Sequence, residues 1–319
     1  MVRDFNGMGS IPTALQSFID DVVVMVNWSD LEASDQNFTG TGWTKIDNAK
    51  SLGTVKIRLR IMAGRHAPQF VKDIGGTGGV TVTNAFDNVT GTVPRWWLPA
   101  VIAQYEELLD EVKSRYDNYM GNNILIREIV ASGAMTIYAE PFFRSHNHGV
   151  SNQNLIAEGL TFADDLAAHT DILSAHQTKF NTIRTSIAVN PWEKMAPSSP
   201  PNYSMTSLSD TTSFLNTQRS SMGVELVLQN NGLRDTSYPA AIGSVYEYIE
   251  GANPPKGFQT ATMNNLGNDI NRLLTALWEA VGAGANFVEL PGGLGPYLTP
   301  AVVDELEDID AALEANPIF

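Results

Sequence analysis

The sequence predicts an α/β protein folded as a single (β/α)8 TIM barrel over residues 1–319. Three observations carry this. β-rich runs alternate with helical periodicity along the whole length, which implies a parallel sheet with crossover helices. Seven strand segments are clear and residues 2–5 offer an eighth, the count that closes a barrel. No Gly-rich phosphate fingerprint follows an early strand, because Gly75-Gly76-Thr77-Gly78-Gly79 lies in a long loop. That disfavours an open dinucleotide-binding sheet. No linker separates two cores.

Each element has a local reason. Residues 22–28 (VVVMVNW) are apolar, β-branched and too short for a helix, so they read as a buried strand. Residues 43–52 follow as a short helix with Trp43, Ile46 and Ala49 on one face. In residues 55–62, Val55, Ile57, Leu59 and Ile61 take one face of a strand while Lys56, Arg58 and Arg60 take the other. Residues 75–95, rich in Gly, Thr and Asn, read as a loop or small hairpin. A long amphipathic helix covers 96–118, on the spacing of Leu98, Val101, Ile102, Tyr105, Leu108, Leu109, Val112 and Tyr116.

Residues 124–132 are the next strand, followed by YAEPF at 138–142 and a helix over 161–179 capped by Thr161. A strand at 185–192 ends in Asn190-Pro191-Trp192, and the proline-rich stretch 194–204 reads as loop. Asp210 then caps a helix to about 220. Strands at 224–230, 257–262 and 286–291 alternate with helices near 239–250 and 266–281, and Thr299-Pro300 opens a last helix to about 314.

Composition excludes several functions. Apolar residues at 43% and charged residues at 17% rule out wholesale disorder. A net charge of −15 disfavours nucleic acid and anionic lipid, both of which need clustered Lys and Arg. With no cysteine, disulfides, thiolate nucleophiles and Cys-held metal centres are excluded. No 18-residue apolar run predicts a membrane span, and the first residues lack the layout of a signal peptide.

The run NWSDLEASDQNFTGTGWTKIDNAKSL resembles a segment of barrel glycoside hydrolases related to the bacterial β-galactosidases. The matching features are Trp28, Leu31-Glu32, Trp43 and Ile46-Asp47, then Gly64, Ala67-Pro68 and Phe70-Val71. VPRWW, YAEPF, FQTAT and VELP extend the likeness to the glycosidase-like barrel of minor tail proteins of phages that infect actinobacteria. The resemblance implies host cell-wall glycan and other tail proteins as partners, a place at the tail tip of the virion, and no cofactor.

In a parallel barrel, chemistry sits at the carboxyl ends of the strands. The candidates there are Asn27, Trp28, His66, Glu140, Asn190, Trp192, Asn230, Gln259 and Glu289. Indoles pack on sugar rings and amides bond hydroxyls. Glycoside cleavage usually needs two carboxyl groups. Glu140 occupies the strand-4 position that resembles the acid/base residue of the related hydrolases. Their strand-7 nucleophile is replaced here by Gln259, which cannot ionise. Glu289, on strand 8, is the nearest substitute; a separation of roughly 6.5–9.5 Å from Glu140 would suit inversion.

Each candidate has a structural alternative. Glu140 could pair with Arg60 or Arg144, and Glu289 with Arg58 or Arg60. Trp28 and Trp192 could be core, and His66 a loop histidine. His146 and His148 lack a third ligand, so no metal site is expected. His169 and His176 share one helix face, no G-x-S-x-G elbow exists, and the acidic C-terminus reads as a solvated helix. The functional expectation is a tail barrel that binds envelope polysaccharide, with Glu140 and Glu289 as candidates to cleave it. The alternatives are a catalytically silent binding or structural subunit, and a free secreted bacterial glycosidase.

Overall fold

A computed structural model describes residues 2–4, 11–50, 55–84, 88–116, 126–135, 140–144, 148–180, 182–235 and 240–316. Eight parallel strands close into a barrel. They are β1 (Val2–Asp4), β2 (Asp21–Asn27), β3 (Lys56–Met62), β4 (Ile126–Val130), β5 (Arg184–Ala188), β6 (Leu226–Leu233), β7 (Lys256–Thr260) and β8 (Phe287–Leu290). Each strand pairs with its neighbours in sequence, and β8 pairs with β1 to complete the ring. The expected (β/α)8 class is therefore observed, including a strand at residues 2–4.

The helices are α1 (Gly42–Lys50), α2 (Pro99–Tyr116), α3 (Gly149–Ala157), α4 (Phe162–Lys179), α5 (Leu208–Met222), α6 (Ala240–Gly251), α7 (Ile270–Gly282) and α8 (Pro300–Ala315). Thr161 caps α4 by accepting from Asp164 N, and Thr299 caps α8 ahead of Pro300, as their sequence positions predict. The cap of α5 is Ser207, not Asp210. Asp210 lies in the first turn, where its carboxylate accepts from Ser207 Oγ and, at 2.6 Å, from Lys194 Nζ.

Strand alternation sorts the barrel into two surfaces. Val22, Val24, Val26, Ile57, Leu59, Ile61, Ile129, Ile187, Leu226, Leu228, Phe258 and Val288 belong to the continuous apolar core. The opposite set looks down the lumen and mixes charged and amide side chains with apolar ones. At its floor Arg58 donates to Asp21 at 2.8 Å and to Glu128 at 2.5 Å, and its guanidinium lies 3.6 Å from the centroid of the Phe287 ring. A Cβ on Gly257 would come within 2.2 Å of that ring, so glycine makes room for it. Val23, Val227 and Phe287 form a small apolar cluster beside this ion triad, and Met62, Val130, Met135 and Ala188 form another.

Connections after β3, β4 and β5 build one tall side of the rim. The first carries the hairpin Val80–Asn84/Val89–Val93, the second carries α3, and the third carries the hairpin Trp192–Met195/Ser204–Ser207. Helix α3 bridges the hairpins with its polar side chains. Ser151 Oγ accepts from Thr83 N at 2.7 Å, Asn154 donates to Thr81 O at 2.9 Å, and Asn152 donates to Asn202 O at 2.7 Å. Two of these bonds cover the backbone of the strand Val80–Asn84, and the third holds the turn of the second hairpin.

Three expectations are corrected here. The fifth barrel strand stops at Ala188, because Pro191 offers no N–H to a ladder, and Trp192 opens a rim hairpin instead. The ends of the stretch read as loop at 194–204 take part in that hairpin. Helix α3 is additional. YAEPF is described only from Glu140 onward, and His146 lies outside the described residues. Among the described residues no helix is long and apolar enough to cross a membrane.

Candidate functional site at the barrel mouth

Glu289 stands on β8 pointing into the lumen and is 3% exposed. Arg60 reaches it from β3 with two N–H groups, Nη2 at 2.5 Å to Oε2 and Nη1 at 3.2 Å to Oε1. Gln259, its register partner on β7, donates a third bond to Oε1 at 3.1 Å. Both carboxylate oxygens are thus engaged by fixed donors, the two-pronged geometry that suits guanidinium to carboxylate. Burial of such a pair requires this completeness, since either charge alone in the lumen would be strongly unfavourable.

Glu140 follows β4 and is 8% exposed. Its Oε2 accepts from Arg144 Nη1 at 2.6 Å. Of the two sequence-expected carboxylates, each is held by an arginine that the sequence already offered as its alternative partner.

The tryptophans are corrected from sugar platforms to core. Trp28 is 1% exposed, edge-on to Tyr105, and its indole N–H donates to Glu32 at 2.7 Å. Burial pushes the Glu32 carboxyl above its ordinary value despite that bond. Trp192 is fully buried and stacked 4.2 Å from Phe142. Its indole N–H meets Asp165 at 2.8 Å, and Trp96 meets the other oxygen of Asp165 at the same distance. An indole buried on both faces with its N–H satisfied is packing, not a platform.

The amides divide. Asn27 is half-buried at the end of β2 and donates to Asp30 at 2.9 Å. His66 ends a single 3-10 turn after β3, also half-buried. Burial, then the nearby Arg65 and Lys72 cations, push its pKa down, so the ring is neutral at pH 7. Asn190 and Asn230 are each 2% exposed, and Asn230 donates to Val189 O at 3.2 Å. Asn230 shares its strand face with the core residues Leu226 and Leu228, so the residues β6 turns inward are Gln229 and Asn231. Sequence reasoning passed over these two and Ser186 of β5. The alternation in VELVLQN, with Val227 facing inward, was the signal that would have found them.

No family model matches this chain, and no curated protein matches it. Solved structures do. A psychrophilic glycoside hydrolase family 10 endo-β-1,4-xylanase aligns over 91% of this chain and 85% of its own, at 8% identity and a TM-score of 0.50. The β-glucosidase from Thermotoga maritima, in complex with azafagomine, aligns over 88% and 75%, at 11% identity and a TM-score of 0.47. A D-allulose 3-epimerase from Methylomonas sp. aligns over 94% and 85%, at 11% identity and a TM-score of 0.41. The first of these supports the barrel architecture, and at such identity the likeness is one of fold.

Proposed function

We propose that this protein is a carbohydrate-binding barrel that holds a glycan at its mouth without cleaving it, deployed as a minor tail protein of an actinobacterial phage. One observation carries the silent reading: Glu289 spends both oxygens on Arg60 and Gln259. A nucleophile must present an oxygen to the sugar and a general base one to water, whereas this carboxylate is 3% exposed with both oxygens turned onto fixed donors. Gln259 at the strand-7 position supplies neither. The amides and the neutral His66 that remain at the mouth suit hydroxyl recognition. Support for the tail role comes from the sequence likeness in VPRWW, YAEPF, FQTAT and VELP.

The test incubates the protein with mycolic-acid-bearing cell walls, measuring co-sedimentation and release of reducing ends in parallel. Co-sedimentation without release is expected, unchanged in Glu140→Gln. Release that Glu140→Gln or Glu289→Gln abolishes overturns the silent reading in favour of a hydrolase. Failure to co-sediment overturns binding altogether. Labelling of virion tail tips by antibody against the chain is the expected sign of its deployment, and unlabelled particles would refute it.

A further inference from the structure

The lumen above the Arg60–Glu289 pair carries a hydrogen-bonding demand that the described residues do not meet. Arg60 Nε, Ser186 Oγ, Gln229 Nε2, Asn190 Oδ1 and Asn231 Oδ1 are buried atoms without a hydrogen-bond partner among the described residues. Arg60, Ser186 and Gln229 are 5%, 0% and 1% exposed. Three of the residues alternate inward on β3, β5 and β6, Asn231 continues the row of Gln229, and Asn190 follows two places after the inward Ala188. Such groups are ordinarily paired, so several together call for outside partners.

Solvent reaches this region from one side. Met25 is the inward register partner of Arg60 on the adjacent strand β2, and it is 36% exposed in the middle of that strand. Its neighbours Val24 and Val26, on the helix side, are buried. Asn231 and Gln259, paired in register on β6 and β7, are half-buried at the rim above.

We propose that the upper lumen is a binding site for a neutral, hydroxyl-rich ring, one sugar unit of the glycan taken end-on. This deepens the binding function proposed above and rests on it. A hydroxyl both donates and accepts, so vicinal hydroxyls match an alternation of donors (Arg60 Nε, Gln229 Nε2) with amide oxygens (Asn190, Asn231) and the Ser186 hydroxyl. The Met25 side chain gives the C–H face of a ring an apolar contact. The charge of Arg60 is cancelled by Glu289, so a carboxylate or phosphate finds no net attraction and meets amide oxygens, while an ammonium meets a guanidinium.

The test uses saturation-transfer NMR on the wild-type protein with D-glucose, D-galactose and D-arabinose as neutral probes, and D-glucuronate and D-glucosamine as charged controls. Transfer from at least one neutral sugar is expected, weaker by about tenfold for the charged ones. Ser186→Ala and Asn231→Ala should each weaken binding by about tenfold, one hydrogen bond's worth. Ser186→Ala removes a hydroxyl that has no partner among the described residues, so its fold is expected to persist, which circular dichroism checks. No transfer from any neutral sugar while the protein still sediments with walls overturns the lumen site and leaves wall binding standing. Loss of sedimentation as well brings down the binding function itself. Equal transfer from charged sugars, or none of the loss expected in either variant, also overturns the proposal.

Discussion

Arg60 and Glu289 meet across the barrel from β3 and β8, joined by two N–H···O bonds of 2.5 and 3.2 Å at 5% and 3% exposure. Buried pairs of this kind are asymmetric in their energetics. Removing one partner strands the other charge, whereas removing both leaves only a packing problem. Arg60→Met is therefore expected to destabilise the protein by about 3–5 kcal/mol, and the double variant Arg60→Met/Glu289→Leu by much less. Urea unfolding of the two single variants and the double closes the cycle. Additive losses would show that the pair is not coupled.

Asp165 organises the tall side of the rim. Both its oxygens are taken by indole N–H groups at 2.8 Å, and the His169 ring lies 3.2 Å away. Burial alone would push its carboxyl up, but His169, Trp192 and Trp96 together hold it below the usual carboxylate range. Trp192→Phe deprives a buried carboxylate of one donor, with an expected cost of about 1–3 kcal/mol. Trp192→Ala adds a cavity and is expected to cost about 3–5 kcal/mol. Wall co-sedimentation of the folded fraction should not change. Retained stability with lost glycan binding would restore the sugar-platform role for this indole.

Gly64 sits at φ +51° after β3, and a Cβ there would come within 2.1 Å of Met135 O. The strain falls on backbone on both sides, so no rotamer relieves it. Gly64→Ala is expected to cost about 2 kcal/mol or more, read as a lowered midpoint in urea, and an unchanged midpoint would refute the close approach.

What the sequence disclosed follows from periodicity. The alternation in VKIRLRIM tells which face of β3 packs on helices and which carries Arg58 and Arg60, and it offers Arg60 as a partner for Glu289. Helix caps at Thr161 and Thr299 were equally local. What failed depended on contacts distant in sequence. Nothing near Trp192 announces that Asp165, 27 residues earlier, will bury its indole. Asn230 ends the apolar run VELVLQN and so stands out as a strand-end amide, but inward or outward is a matter of parity set by Val227, not of position along β6. Helix α3 has a weak apolar pattern and is stabilised by its polar bonds to two hairpins, which no local reading of residues 149–157 reveals.

His176 of α4 is fully buried, with Tyr105 Oη 3.0 Å from Nε2, and burial lowers its pKa to about 3. In the unfolded chain a histidine titrates near 6.5. Above that value the ring is neutral in both states and contributes no pH dependence. Between 6.5 and about 3 the unfolded chain binds a proton that the folded one refuses, so stability falls as the pH is lowered. Carboxylates dominate below pH 5, which makes the interval from 7.5 to 5 the informative one. There His176 should remove about 2 kcal/mol. His66, also lowered, adds a slope of the same sign, so the readout is the difference between wild type and His176→Gln, whose amide can still meet the Tyr105 hydroxyl. Unfolding midpoints of the two proteins should converge as the pH falls from 7.5 to 5. Parallel profiles would mean that His176 takes up its proton while folded, and that its burial is less complete than the packing of α4 against α2 implies.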